Sequence, residues 1–147
     1  AEPEYVNFSA ANIADVGFGR KVRVAREMLT AEEAAILIEA VRTFEANSKH
    51  LDSIDGLPAY EKYIRHKGID QHQFASSHLP SLEKRMLEYM RNHYTQGTSF
   101  VCTVLMRRYQ PNERLQVHVH NDRMAYITAV ASLNPLEFEG GLYVQRS

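Results

Sequence analysis

Hydrophobic residues recur with a helical period in two stretches of the chain. In the first, four apolar residues fall on one helix face: Ala34, Leu37, Val41 and Phe44. Thr30 and Glu33 precede this face with the spacing of a reciprocal capping box, in which each side chain bonds the other residue's backbone amide. The pattern predicts a helix of about 16 residues that begins after Leu29.

The second helical stretch begins at Pro80, a residue suited to the first turn of a helix. Five residues share one side of it: Leu82, Met86, Tyr89, Met90 and His93. Residues 47–79, between the two helices, have no clear period and predict long loops with a short element inside. Residues 1–20 predict an irregular arm, and the alternation over residues 21–24 predicts a short strand.

After Gly97 the period changes from helical to alternating. Four stretches rich in Val, Thr, Tyr and Ile are typical of strands: 100–109, 115–120, 124–133 and 142–145. Helices followed by strands predict an α+β fold, with helices packed on one side of a mainly antiparallel sheet or open barrel. We expect one domain over residues 1–147, with mainly helical support at 21–95 and the sheet core at 98–147.

Composition excludes several classes of function. The 17 Lys and Arg residues nearly balance 18 Asp and Glu residues, and a net charge of -1 gives no field for gathering nucleic acid or anionic lipid. No stretch approaches the ~20 apolar residues of a membrane helix, so we expect a soluble protein of unassigned compartment. Cys102, the single cysteine, lies in an apolar run and is expected to pack as a small hydrophobe.

The residues most suggestive of chemistry are His118, His120 and Asp122. Side chains alternate along a strand, so all three point the same way if the strand extends to Asp122. Two histidines and a carboxylate can hold Fe(II) while leaving coordination positions open for substrate and oxygen. The structural alternative is a solvated histidine followed by an aspartate that starts a turn with Asn121. A zinc module that uses the same three residues is a further alternative.

The sequence around this motif resembles the prolyl 4-hydroxylase-like branch of the 2-oxoglutarate/Fe(II)-dependent dioxygenases. Four elements match in order and spacing: Tyr109 with Pro111, His120-Asn121-Asp122, Thr128 with Leu133-Asn134, and Phe138-Glu139-Gly140-Gly141-Leu142. The resemblance covers about residues 100–145, and the capped helix after Leu29 is similar to the family's N-terminal helix.

The resemblance implies a distorted double-stranded β-helix, jelly-roll-like, with Fe(II) bound by His120 and Asp122. It implies that Tyr109, Thr128 and Ser132 line the pocket of the cosubstrate 2-oxoglutarate. Ser132 stands where prolyl hydroxylases often have a tyrosine, so the pocket is expected to differ in shape. His118 has three alternatives: an interior histidine, which is favoured, a second-shell partner of the metal, or a substitute ligand.

Two further elements of the family are not found in this sequence: a second iron-binding histidine and a later Arg or Lys that pairs with 2-oxoglutarate. Three explanations are compatible with this: the chain is truncated, an upstream histidine or another chain completes the site, or the protein is a non-catalytic relative. A truncated chain would have an open sheet edge that other residues or a protein partner must cover. The favoured function is hydroxylation of a protein or peptide side chain such as proline. The alternative is a catalytically inactive, dioxygenase-like structural subunit of a larger assembly.

Overall fold

The chain divides into two compact units, residues 1–28 with 134–147 and residues 29–133. The structure is a computed structural model. It describes residues 5–6, 13–15, 21–43, 51–52, 54–58, 60–71, 77–94, 98–113, 116–117, 120, 122–123, 125–137 and 144–145.

The first unit contains two pairs of short antiparallel strands. Strand β1 (Tyr5–Val6) pairs with β7 (Val144–Gln145), and β2 (Ile13–Asp15) pairs with β3 (Lys21–Arg23). The strand predicted over residues 21–24 is therefore present at β3. The structure adds two strands within residues 1–20, where the sequence shows no alternation and predicts an irregular arm.

In the second unit, helix α1 (Ala31–Thr43) begins at the capping box that the sequence predicts. The Thr30 amide donates to Glu33 Oε2 at 2.9 Å, and the Glu33 amide donates to Thr30 Oγ1 at 3.1 Å. These two bonds satisfy amides that the first turn of a helix otherwise leaves unpaired. The side chain of Leu37, on the apolar face of α1, is buried.

Helix α2 (Pro80–His93) begins at the predicted proline and buries Leu82. Glu33 at the start of α1 accepts a hydrogen bond from Arg85 of α2 at 2.7 Å. This bond, followed by the one from the Thr30 amide, holds the pKa of the Glu33 carboxyl below its ordinary value. The capping residue thus also links the two helices.

The main sheet has three antiparallel strands in the order β5-β4-β6. Strands β4 (Glu61–His66) and β5 (Ile69–Asp70) form a hairpin, and β6 (Val104–Arg107) pairs with the other side of β4. The hairpin turns at Lys67 and Gly68, whose φ angles of 51° and 79° suit a two-residue turn between twisted strands. Ile64 in the central strand is fully buried.

The chain is therefore α+β, with two helices and a three-stranded antiparallel sheet among the described residues. The predicted strand at 100–109 is shorter, since β6 covers only Val104–Arg107. The described residues of 115–120 and 124–133 lie outside strands. The hairpin lies within residues 47–79, where the sequence predicts long loops with a short element inside. Strand formation depends on a neighbouring strand and on burial, so alternation alone does not establish it.

The described part of the chain has a small apolar core. Its buried apolar side chains are Leu37, Ile64, Leu79 and Leu82. None of the helices in the described ranges has the length and apolar character needed to cross a membrane.

Candidate metal site

His120 and Asp122 converge in a loop of the second unit. His120 Nε2 lies 3.5 Å from Asp122 Oδ1, and the two side chains are 35% and 46% exposed. The carbonyl oxygen of Asp122 accepts a hydrogen bond from the Ala125 amide at 3.1 Å, which closes a turn behind the aspartate. The loop therefore brings a nitrogen and an oxygen donor together at a position open to solvent.

The spacing of these two atoms is compatible with ligands of one metal ion. With bonds of about 2.1 Å, two ligands lie ~3.0 Å apart at a right angle and ~3.4 Å apart at a tetrahedral angle. The observed 3.5 Å is within about half an ångström of both values. The same spacing allows an ion pair when His120 is protonated, so a proton competes with a metal ion for this pair.

A complete metal site is not seen in the residues that the structure describes, because they include no group of three His, Cys, Asp or Glu residues with suitable spacing. His118, the predicted second-shell residue, lies outside the described residues. The structure thus brings together two of the three residues that the motif analysis selects. A facial triad requires a third protein ligand.

Tyr109 is half-buried and lies two residues after Arg107, the last residue of β6. Burial opposes the charge on Arg107, but hydrogen bonds with Tyr109 and Glu61 outweigh that effect and raise the pKa of the Arg107 guanidinium above its ordinary value. Tyr109 is the residue that the resemblance assigns to 2-oxoglutarate.

Arg107 is the centre of an ion network that the sequence analysis did not find. Its guanidinium donates to Asp52 Oδ2 at 2.8 Å and, through Nε, to Glu61 Oε2 at 2.8 Å. The Asp52 side chain is only 2% exposed, and its Oδ1 also accepts from the Ile54 amide at 2.8 Å. The network links Asp52, which is hydrogen-bonded to the backbone of Gly56 and Leu57, to the sheet. Its members are 46 and 55 positions apart in sequence, so no local motif marks them.

Thr128 and Ser132, the other two predicted cosubstrate residues, are exposed. Both lie in residues 125–133, a described segment without a strand, and Tyr126 there is 88% exposed. The predicted alternation that would turn Thr128 toward a cavity is therefore not seen. Their assignment to a 2-oxoglutarate pocket stays a prediction.

A separate cleft of about 470 Å³ lies elsewhere in the second unit, lined by the β4–β5 hairpin, α2 and residues 99–101. His120, Asp122 and Tyr109 are not among its lining residues. Arg65 forms one wall, donating to Asp70 and Glu83 at 2.6 Å each. These hydrogen bonds, that of Glu83 first, raise the pKa of Arg65 above its ordinary value.

Comparisons with known proteins identify no relative of this chain. No family model matches the chain, and no curated protein or solved structure matches it.

Proposed function

We propose that this chain is the metal-binding part of an Fe(II)- and 2-oxoglutarate-dependent hydroxylase that acts on a protein or peptide side chain such as proline. The observation that carries the proposal is the convergence of His120 Nε2 and Asp122 Oδ1 to 3.5 Å within a His-x-Asp motif. The order of motif elements around that pair supports the same family. The proposal includes a double-stranded β-helix, of which residues 98–147 would supply the first half.

In this proposal, His120 and Asp122 hold the iron, and a further histidine completes the triad. Tyr109 would contact a carboxylate of 2-oxoglutarate. With dioxygen as the oxidant, bound iron and 2-oxoglutarate would supply the chemistry that hydroxylates a C–H bond, with one oxygen atom entering the product and the other the succinate formed from 2-oxoglutarate. The residues of the chain would position that chemistry and hold the metal ligands in their deprotonated forms.

A second candidate is a catalytically inactive, dioxygenase-like structural subunit of a larger assembly. The observation that favours it is the exposure of large apolar side chains that an assembly can cover. In residues 125–133 of the second unit, Tyr126 is 88% exposed and Val130 is 66% exposed. Large exposed apolar surfaces often mark interaction sites.

Anaerobic titration of the full-length protein with Fe(II) and 2-oxoglutarate distinguishes the two candidates. The hydroxylase predicts a visible metal-to-ligand charge-transfer band that is lost in His120→Ala and in Asp122→Ala. His93→Ala is the matched control, because His93 is an exposed histidine at the end of α2 whose ring lies in a tilted contact with that of Tyr89. The band should survive in that variant.

The absence of a band in folded protein would contradict the hydroxylase and favour the structural subunit. A band that persists in both His120→Ala and Asp122→Ala would show that iron binds elsewhere. Zn²⁺ titration monitored by calorimetry separates the zinc alternative, which predicts tight Zn²⁺ binding without dependence on 2-oxoglutarate.

A further inference from the structure

The cleft beside α2 is open to solvent and large enough to hold a small molecule. Its volume of about 470 Å³ falls within the range of ligand-binding pockets, ~300–1,000 Å³. Its wall at Arg65 is fixed by two carboxylates, and the Arg65 side chain is only 15% exposed. A rigid wall costs little to order when a ligand binds.

Arg91, at the C-terminal end of α2, supplies an uncompensated positive charge to this cleft. One of its nitrogens, Nη2, donates to the Ser99 carbonyl oxygen at 2.5 Å, which holds the guanidinium in place. No carboxylate among the described residues pairs with it, in contrast to Arg65. A guanidinium has five N–H groups in a planar fork that matches a carboxylate, so donors remain for a ligand.

An apolar surface lies in the same cleft. Phe100 is 76% exposed, and the half-buried side chains of Leu87 and Val101 also line the cleft. An exposed aromatic ring that lines the same cleft as a cation can contact an apolar group of a ligand whose anionic group binds the cation. The cleft therefore offers a cation for an anionic group and an apolar surface for an apolar group of the same ligand.

We propose that this cleft binds a small organic carboxylate that carries an apolar group. The carboxylate pairs with Arg91, and the apolar group packs on Phe100 with Leu87 and Val101. This site is distinct from His120 and Asp122 and does not depend on the metal proposal. It requires no metal, so its test can be run with metal excluded.

The test is a titration of the ¹⁵N-labelled full chain with 3-phenylpropionate in the presence of EDTA, followed by amide NMR shifts. We expect saturable shifts at Ser99 and Phe100 with a dissociation constant in roughly the millimolar range, as for other small ligands. Two control probes each remove one end of the ligand. These are 3-phenylpropan-1-ol, which has no charge, and propionate, which has no ring.

Variants then assign the contacts. Arg91→Gln should weaken binding about tenfold, and Arg91→Lys should retain part of it because the charge remains while the planar fork is lost. Phe100→Ala should weaken binding several-fold. Arg42→Gln is the matched control, because Arg42 is an exposed arginine on α1 that is outside the cleft.

The proposal is overturned if the shifts do not saturate or if the alcohol binds as tightly as the carboxylate. It is also overturned if Arg91→Gln, with its amide spectrum otherwise retained, binds 3-phenylpropionate as well as Arg42→Gln does. Because EDTA keeps metal away from His120 and Asp122, failure here leaves the hydroxylase proposal untouched. Success here would likewise not depend on that proposal.

Discussion

Replacing Arg107 by methionine should lower the free energy of unfolding more than replacing an exposed arginine does. Arg107 bonds two carboxylates at once, those of Asp52 and Glu61. Methionine fills much of the same volume but carries no charge. The substitution therefore removes the Arg107 guanidinium from the Asp52 carboxylate, which is 2% exposed, while the negative charge of Glu61 remains.

The expected loss follows from the burial of the three partners. Removing one member of a buried ion pair costs roughly 3–5 kcal/mol, because the remaining charge is left in a poorly solvated place. Arg107 and Glu61 keep 20% and 12% of their side-chain surface exposed, which lets water reduce the penalty. We therefore expect about 3 kcal/mol at neutral pH, at the lower end of that range.

Urea denaturation followed by circular dichroism measures this loss as a lower midpoint with an unchanged slope. Arg42→Met is the matched control. Arg42 pairs with Glu39 at 3.7 Å, but both side chains are about two-thirds exposed at 65% and 67%. An exposed pair of this kind contributes about 0.5 kcal/mol or less.

The double variant Arg107→Met with Asp52→Asn tests the cause. If the loss comes from the interaction between Arg107 and the Asp52 charge, adding Asp52→Asn should cost much less in the Arg107→Met background than in the wild-type protein. Additive losses would refute a direct coupling between Arg107 and Asp52. A loss for Arg107→Met no larger than that for Arg42→Met would refute the reasoning from burial.

Other substitutions test the remaining elements. Ile64→Ala should cost about 3 kcal/mol because it opens a cavity at a fully buried position, whereas Ile69→Ala, at a side chain that is 66% exposed, should cost about 0.5 kcal/mol or less in the same urea assay. Gly68→Ala should lower stability by about 1 kcal/mol because φ is 79°, although no atom lies within 4 Å of the added methyl group; an unchanged urea midpoint would contradict this. Glu33→Gln tests pH dependence. The pKa of Glu33 is lowered in the folded state, so its carboxylate stabilises the fold fully above the ordinary pKa of 4.5. This contribution is lost as the pH falls through the lowered folded-state pKa. The stability gap between wild type and Glu33→Gln should therefore close in acid, while Glu39→Gln should show little gap at any pH.

The sequence could predict the candidate site only where its donor residues lie close together along the chain. His120 and Asp122 are two residues apart, so a short motif can identify both, and the structure brings their atoms to 3.5 Å. The route differs from the prediction, since they converge in a loop rather than along a strand face. Arg107 and Asp52 are 55 positions apart, and only folding brings them together.

Local interactions explain what the sequence by itself determined about this protein. Three signals act within a few residues: the capping box at Thr30 and Glu33, the proline that begins α2, and the helical period after each. Both helices therefore begin where the sequence predicts. The tertiary structure decided which alternating stretches became strands. A strand requires hydrogen-bond partners from another segment, so β4 formed from a stretch without clear alternation, while described residues 125–133 remained outside the sheet despite their strand-like pattern.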